Sequence, residues 1–301
     1  MEYVTLRGGM RLPAIGFGPG GAGYTPNMKP GKRSIFRRAW NKLVTRQFVR
    51  YHYVRAVSSA ISQGFRLIDY SAAYGDGKLI GRAIRKSGVK REDLILTTRV
   101  SNGAQFTGKI EDEFFAQLRN FGTDYADILM FHWPVTGCYT GTWLKMLELK
   151  EKGYCRVLGA ANCNAHHLEE LEKASGVLPE IDQFEVHPLF TQKELREYCR
   201  AKGIQAESYT PVARFDDRLM RLPVLRKIAE KYSRTVTQVV LRWHIQSGLV
   251  PVVRTLNPLH QKENIDVFGF SLTDGEMSVV DSVNINARVR YDPDNCDFTI
   301  L

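Results

Sequence analysis

The feature that most constrains the fold is a regular alternation between short apolar runs and longer segments with helical periodicity, from Ile15 to Val253. Eight of the apolar runs have the length and composition of buried strands, and nearly all are followed by a predicted helix. Eight such repeats in 301 residues predict an α/β fold, a closed parallel (β/α)8 or TIM barrel, as one domain over residues 1–301. The predicted strands are residues 14–18, 66–69, 94–99, 126–131, 156–159, 181–186, 204–209 and 249–253.

Two features lie outside this repeat. Residues 3–6 and 11–13 flank a Gly-Gly pair and predict a short N-terminal β-hairpin. Residues 24–50, after the first barrel strand, predict a basic helical insertion, because apolar pairs recur every four residues from Ile35 to Val44 with basic residues between them. Such a helix can meet a membrane surface peripherally, nucleic acid or an acidic partner. Alternatively, it packs its apolar stripe on the barrel and keeps its charges in water.

The positive charge is concentrated near the beginning of the chain. The whole chain has 42 Lys and Arg against 32 Asp and Glu, a net charge of +10. Residues 1–68 hold 12 of the basic residues and one acid, Glu2, whereas residues 69–301 hold 30 basic and 31 acidic residues. The barrel is therefore almost neutral, which argues against nucleic acid as a partner of the whole molecule.

Composition disfavours several classes of protein. Five cysteines are widely spread without a CxxC pair, which favours free thiols in a reducing compartment over disulfides or a zinc site. We expect no metal centre, since His166-His167 opens a predicted helix and is expected at the surface. No uncharged apolar run reaches the length of a membrane span, and the first residues do not resemble a signal peptide. These observations predict a cytoplasmic location.

Polar side chains recur where the predicted strands end. Asp69 ends an apolar run, and Tyr74 follows five residues later in a loop that leads to a helix, so the two are candidates for proton handling. The carboxyl ends of parallel strands meet at one face of a barrel, so such residues are expected to converge there. The glycine-rich residues 18–23 follow the first strand without a GxGxxG pattern, which argues against a Rossmann site. The polar strand-end residues are Asp69, Tyr74, Arg99, His132, Asn162, Gln183, Glu185, Tyr209 and Arg254.

Short motifs along nearly the whole chain, taken in order, resemble the aldo-keto reductase family. Among them are Ile68-Asp69 with Ala73-Tyr74, and Phe131-His132-Trp133-Pro134. Each motif is modest, but their order and spacing together are specific, and the resemblance is weakest over residues 20–50. The other motifs are residues 12–18, Asn162, residues 183–188, 209–211 and 239–244, Asn257-Pro258 and Glu263-Asn264.

The resemblance implies an oxidoreductase that reduces the carbonyl group of a small molecule with a nicotinamide cofactor. Tyr74 would protonate the carbonyl oxygen, His132 would orient it, and Asp69 would anchor the cation beside the phenol. In the family that cation is a lysine, and here the position is Arg99. A guanidinium is larger and planar and prefers a carboxylate fork, so we expect Arg99 to pair with Asp69 through two bonds. This departure predicts attenuated or altered turnover with cofactor binding intact.

The resemblance also implies that NADPH binds across the barrel mouth, with NADH bound more weakly. Asn162 and Gln183 would hold the carboxamide, Tyr209 would stack on the nicotinamide, and the glycine-rich run allows close approach of the ligand. Where the family often has Lys, Ser and Arg at the adenosine phosphate, this chain differs, which predicts a smaller preference for NADPH. The cofactor residues implied are Gly18, Asp69, Asn162, Gln183, Tyr209, Thr210, Pro211, Val212, Arg254, Thr255, His260, Glu263 and Asn264.

Three functions stay open at this point. The first is a cytoplasmic NADPH-dependent carbonyl reductase, and the second is a weakly catalytic or non-catalytic NADPH-binding or sensing protein. The third is a scaffold that residues 24–50 recruit to a membrane or an acidic partner. The substrate would be selected by loops and by the C-terminal tail, residues 288–301, and we expect Tyr24, Trp133 and Tyr139 to line an aromatic pocket.

Overall fold

The computed structural model describes residues 1–20, 35–75 and 77–300, with side chains from residue 48 onward in the second range. Its centre is a closed barrel of eight parallel strands in chain order, which confirms the predicted (β/α)8 fold. Neighbouring strands are joined by helices that pack outside the barrel, as parallel pairing requires. The barrel strands are β3 (Gly16–Phe17), β4 (Leu67–Asp69), β5 (Ile95–Val100), β6 (Ala126–Phe131), β7 (Cys155–Ala161), β8 (Ile181–Glu185), β9 (Gln205–Tyr209) and β10 (Val250–Val253).

The predicted N-terminal hairpin is present. Strands β1 (Tyr3–Thr5) and β2 (Arg11–Pro13) pair antiparallel around a tight turn. Leu6 and Leu12 are buried in one apolar cluster with side chains from the beginnings of several barrel strands. The hairpin therefore closes the amino-terminal end of the barrel and leaves the carboxyl-terminal end, here called the mouth, for polar groups.

Strand register determines which side chains share the barrel interior. Gln183 of β8 pairs with Glu207 of β9, and Glu185 pairs with Tyr209. Side chains alternate between the two faces of a strand, so residues two apart face the same side. Ile181 begins this series inside the barrel, and Gln183 and Glu185 therefore also face inward.

The first helix differs from the prediction. The sequence predicted a basic helical insertion over residues 24–50, whereas one continuous helix, α1, spans Ile35–Ser62. No glycine or proline interrupts residues 35–62, so nothing in the backbone ends the helix at residue 50. Residues 24–34, and the side chains that carry the predicted apolar stripe, lie outside the described part of the chain.

The remaining helices surround the barrel. Several begin with side-chain caps, such as Thr235 of α10 and Thr273 of α12, each of which forms a capping box. All five cysteines are free, as the sequence predicted. Among the described residues, no helix combines the length and apolar character needed to cross a membrane. The helices are α2 (Gly77–Ser87), α3 (Asn102–Thr107), α4 (Ile110–Phe121), α5 (Tyr139–Glu151), α6 (Ala165–Ser175), α7 (Lys193–Ala201), α8 (Asp217–Met220), α9 (Pro223–Tyr232), α10 (Val236–Gln246), α11 (Pro258–Ile265) and α12 (Asp274–Ser282).

Candidate active site

A chain of polar side chains crosses the barrel interior near the mouth. Arg99 is buried, and its Nη2 atom lies 2.6 Å from Oδ1 of Asp69. The same Nη2 atom donates a hydrogen bond of 2.8 Å to Oε1 of Gln183. Gln183 donates from Nε2 to Oε2 of Glu207 at 2.8 Å and to Oδ2 of Asp69 at 3.4 Å. These four side chains, called the interior network below, join β4, β5, β8 and β9.

Arg99 does not form the expected two-bond fork with Asp69. One nitrogen, Nη2, contacts both Asp69 and Gln183, and the buried Nε of Arg99 has no hydrogen-bond partner among the described residues. The guanidinium lies between acceptors on two strands, and this position prevents parallel bonds to either one. Gln183, predicted only as a cofactor residue, therefore also contacts the buried cation, Arg99.

Burial and charge act together on the interior network. Burial opposes the charge of Arg99, but the Asp69 carboxylate raises the pKa of Arg99 above its ordinary value. Burial raises the pKa of Glu207 to about 7, and the charge of Asp69 adds to that rise. Arg99 is therefore always charged, whereas Glu207 changes its protonation state near neutral pH.

Tyr74 lies at the mouth, directly after β4. It ends a short 3-10 turn, Ala72–Tyr74, which Ser71 caps. Its ring meets the ring of His132 edge-on, with the centroids 5.9 Å apart. Although the side chain as a whole is 37% exposed, burial raises the pKa of Tyr74, and the charge of Arg99 opposes the rise. The phenol is therefore protonated at neutral pH and is available as a proton donor.

His132 follows β6 and faces Tyr74 as a neutral group. Burial, together with the charges of Arg99 and Arg290, lowers the pKa of His132 to about 3. Its Nδ1 atom lies 3.4 Å from Oγ of Ser71. A hydroxyl that donates to Nδ1 leaves the ring proton on Nε2, so the ring has a neutral N–H donor.

Asn162 and Tyr209 extend the site across β7 and β9. Asn162 has a φ angle of 63°, in the left-handed region that few residues other than glycine adopt. Its Nδ2 atom donates to the backbone oxygen of His132 at 2.9 Å, and its Oδ1 atom accepts from the Tyr209 hydroxyl at 2.6 Å. Burial raises the pKa of Tyr209, so this hydroxyl keeps its proton. The left-handed backbone thus places the Asn162 amide between the ends of β6 and β9.

Gly18 is a predicted cofactor residue near the barrel axis, and side chains of neighbouring strands lie close to its backbone. A Cβ atom at Gly18 would lie 3.0 Å from Cγ1 of Val252 and 3.7 Å from Oδ2 of Asp69, so a side chain there would crowd the site.

The loop after β9 contains the predicted residues 210–212 and has a strained backbone. Such strain is often found in functional loops. Four of its residues have φ angles between 48° and 62°, namely Thr210, Ala213, Arg214 and Phe215.

The predicted adenosine-end residues lie after β10. Arg254 is exposed and approaches the backbone of Gly20, where an added Cβ would lie 2.8 Å from the guanidinium carbon. Helix α11 begins at Pro258 with Asn257 as its cap. The other predicted residues here are Thr255, His260 and Glu263, which lie at least partly at the surface, and Asn264, which is buried.

Two of the three residues of the predicted aromatic pocket lie in the described part of the chain. Trp133 is buried, its ring centroid lies 6.4 Å from that of Phe298, and its backbone oxygen accepts from Gln105. Tyr139 is buried in the packing of α5 and donates its hydroxyl proton to Glu170 of α6. Tyr24 lies outside the described residues.

Two groups at the site were missed by the sequence analysis. Glu207 could have been found from the sequence, because strand periodicity places it on the same face as Tyr209, two residues further along the strand. Arg290 could not have been found in this way, because it lies in an irregular tail whose contacts are distant in sequence.

Two features outside the mouth have no part in this chemistry. A cavity of about 730 Å³ between α6, α7 and the C-terminal segment contains none of the predicted site residues. His166 and His167 approach Asp294, but Nδ1 of His167 already accepts the N–H of Asn164. Its remaining ring nitrogen therefore carries the proton, which disfavours coordination of a metal there.

The fold and the site define a (β/α)8 barrel with a buried polar site at the carboxyl ends of its strands. A family model described as the aldo/keto reductase family matches residues 38–285. This chain belongs to the aldo/keto reductase family and is an oxidoreductase. The match confirms the resemblance and the enzyme class inferred from the sequence.

Individual relatives are consistent with this assignment. An oxidoreductase of Bacillus subtilis, YtbE, is 39% identical over 249 residues, covering 81% of this chain and 88% of that protein. Glyoxal reductase of the same organism is 38% identical over 243 residues, covering 81% of this chain and 87% of its own. The crystal structure of a Bombyx mori aldo-keto reductase in complex with NADP has a TM-score of 0.84 at 27% identity, covering 97% of this chain and 96% of that chain.

Proposed function

We propose that this protein reduces the carbonyl group of a small molecule with NADPH, and that Tyr74 donates the proton. The observation that carries the proposal is the convergence, at one barrel mouth, of a protonated phenol, a neutral imidazole and a buried cation. Related structures that contain NADP or NADPH support the choice of cofactor.

The residues present fit such a dinucleotide. Gly18 keeps the backbone beside Asp69 free of a side chain, and the strained loop that begins at Thr210 turns its backbone at the mouth. Arg254, with its planar guanidinium, suits a phosphate group at the outer end. We therefore assign the carboxamide to Asn162 and Gln183, whose amides each have more than one hydrogen-bonding atom.

Each catalytic side chain has a separate task in the proposed reaction. When bound, the nicotinamide supplies the hydride. The Nε2–H of His132 donates to the carbonyl oxygen and orients it, and the Tyr74 hydroxyl then transfers its proton to that oxygen. The charge of Arg99 stabilises the resulting phenolate, and Asp69 holds Arg99 beside it.

The position of Arg99 supports attenuated turnover. Its Nη2 atom is already engaged by Asp69 and Gln183, so the phenol receives the charge of Arg99 without being its main hydrogen-bond acceptor. Detectable NADPH binding without turnover of any carbonyl in a diverse panel would instead favour the weakly catalytic binding or sensing protein.

Replacement of Tyr74 tests the proposal directly. Tyr74→Phe should lower kcat for carbonyl reduction by about 10²-fold or more, because general acid catalysis contributes about 10²–10⁴-fold. The dissociation constant for NADPH, measured by fluorescence quenching, should stay within about twofold of the original value. Tyr154→Phe, at a partly exposed ring packed on Phe115, is the matched control. Full activity of Tyr74→Phe would refute the role of the phenol.

We also propose a cytoplasmic location, which the free cysteines support, and a peripheral contact of the basic residues 24–50 with an anionic surface. Vesicles of anionic lipid should bind the protein at low salt and release it at high salt. Replacing Arg37, Arg38 and Lys42 with glutamine should abolish this binding without changing turnover. Binding that neither salt nor these substitutions change would refute the contact.

A further inference from the structure

The described part of the C-terminal tail, residues 288–300, is fixed over the mouth by a buried carboxylate. Glu185, at the end of β8, is fully buried and accepts the backbone N–H groups of Val289 at 2.7 Å and Arg290 at 3.0 Å. His187 lies 3.0 Å from the same carboxylate through its Nε2 atom. A residue of the tail is thus attached directly to the barrel strand that carries Gln183.

Contacts further along hold the tail in the same place. Asp294 accepts a hydrogen bond of 2.7 Å from Nδ2 of Asn164, after β7. The backbone oxygen of Phe298 accepts from Nδ2 of Asn102, after β5, at 3.1 Å. The tail therefore crosses the mouth between fixed points, and its backbone at residues 289 and 290 is held at the end of β8.

Arg290 brings a positive charge to this position. Burial has the largest effect on the pKa values of Tyr74, His132 and Tyr209, and the charge of Arg290 acts to lower all three. These three residues follow or end β4, β6 and β9, so the charge of Arg290 acts on several strand ends at the mouth. Its neighbour Arg288 acts only on Tyr209 among these three groups.

The charge of Arg290 is not neutralised by the described residues. Its guanidinium lies 5.5 Å from the ring centroid of Tyr291, and no carboxylate forms an ion pair with it in residues 1–20, 48–75 and 77–300. By contrast, Arg288 approaches Asp292 at 4.0 Å, and Arg99 is paired with Asp69. His132 is neutral, so it does not repel an approaching anion.

We propose that Arg290 forms an anion-binding subsite, and that the preferred substrates are aldehydes or ketones that carry a carboxylate near the reacting carbonyl. The proposal rests on the reductase function proposed above and adds the substrate class. An arginine fork matches the two oxygens of a carboxylate. The carboxylate contacts Arg290 while the carbonyl oxygen lies between Tyr74 and His132.

A matched pair of aldehydes tests this subsite. The protein is assayed with NADPH on 4-carboxybenzaldehyde and on 4-formylbenzamide, which have similar shape and differ in charge. We expect Arg290→Gln to lower kcat/KM for the carboxylate by about tenfold more than for the amide, mainly through KM, because a charge-assisted bond is lost. Arg290→Glu should lower the ratio further by repelling the carboxylate.

Arg288→Gln is the control, since it removes the same charge from the same tail while leaving Arg290 in place. It should change kcat/KM for both aldehydes equally. Equal effects of Arg290→Gln on the two aldehydes would overturn the subsite while leaving the reductase function intact. A loss of NADPH affinity in Arg290→Gln would also overturn it, since Arg290 would then belong to the cofactor site. Failure of the unaltered protein to reduce either aldehyde, or any other carbonyl, would refute both proposals.

Discussion

Arg99 joins two strands of the barrel interior through one guanidinium nitrogen, which has two N–H donors. Its Nη2 atom reaches Asp69 on one side and Gln183 on the other. A lysine ammonium is a compact charge on a flexible stem, and it donates to a phenol more directly. The position of the charge is thus retained in this chain, while its hydrogen bonds are directed to the interior network and not to Tyr74.

Arg99→Lys tests the consequence of this arrangement. We expect kcat for carbonyl reduction to rise, by up to about tenfold, because an ammonium beside the Tyr74 hydroxyl improves proton transfer. Arg99→Met, which removes the charge, should lower kcat and leaves Asp69 buried without its cation. A kcat for Arg99→Lys that falls as far as that of Arg99→Met would show that the guanidinium does not limit the reaction.

Glu207 gives the interior network a pH-dependent stability. Its pKa in the folded state, about 7, lies above the ordinary value of 4.5. Between these values the folded protein keeps a proton that the unfolded chain releases, so the carboxyl group costs stability increasingly as pH rises. Glu207→Gln removes this cost and should therefore stabilise the protein more at pH 8 than at pH 5, by about 2 kcal/mol.

The test of this prediction is chemical denaturation of the protein and of Glu207→Gln at the two pH values. Glu172→Gln, at a surface carboxylate paired with Lys202, is the control and should give the same small change at both. An effect of Glu207→Gln that does not depend on pH would show that Glu207 is ionised throughout this range.

The same residues show what a sequence can reveal at this scale. Asp69, Tyr74 and His132 were predictable because each follows an apolar strand, and strand ends converge in a parallel barrel. The bond from Arg99 to Gln183 was not, because it depends on a side-chain conformation that joins positions 84 residues apart. Their roles in catalysis stay predictions.

Among the elements, the barrel strands were the most predictable and the tail the least. Eight apolar runs gave eight strands, since burial on both faces leaves a strong signal in a parallel sheet. The continuity of α1 was missed because the predicted insertion ended at residue 50, where no helix-breaking residue stands. The tail has no periodicity, and its position is set by Glu185, more than 100 residues away.

Glu185→Gln tests the attachment of the tail. The amide N–H₂ group would face a backbone N–H donor, so at least one of the two hydrogen bonds from Val289 and Arg290 is lost. We expect faster hydrogen exchange at these two amides and a loss of about 1–3 kcal/mol in the free energy of unfolding. Glu194→Gln, on the exposed face of α7, should change neither. Unaltered exchange at residues 289 and 290 would contradict the attachment.

At the scale of the whole molecule, cofactor binding should raise the free energy of unfolding. A ligand that binds only the folded state at 100 times its dissociation constant raises the free energy of unfolding by about 2.7 kcal/mol. We expect NADPH to raise the unfolding temperature more than NADH does at equal concentration, because Arg254 favours the additional phosphate. In Arg254→Gln, NADPH and NADH should raise the unfolding temperature by the same amount. Equal shifts for both cofactors in the unaltered protein would remove the predicted preference.

The proposed reaction depends most on the place of the nicotinamide relative to the phenol at the barrel mouth. A crystal structure of the NADP⁺ complex measures it directly. We expect the nicotinamide ring stacked on Tyr209, with room for a carbonyl oxygen about 3 Å from both the Tyr74 hydroxyl and Nε2 of His132. A ring bound outside the mouth, or separated from Tyr74 by another side chain, would contradict the account.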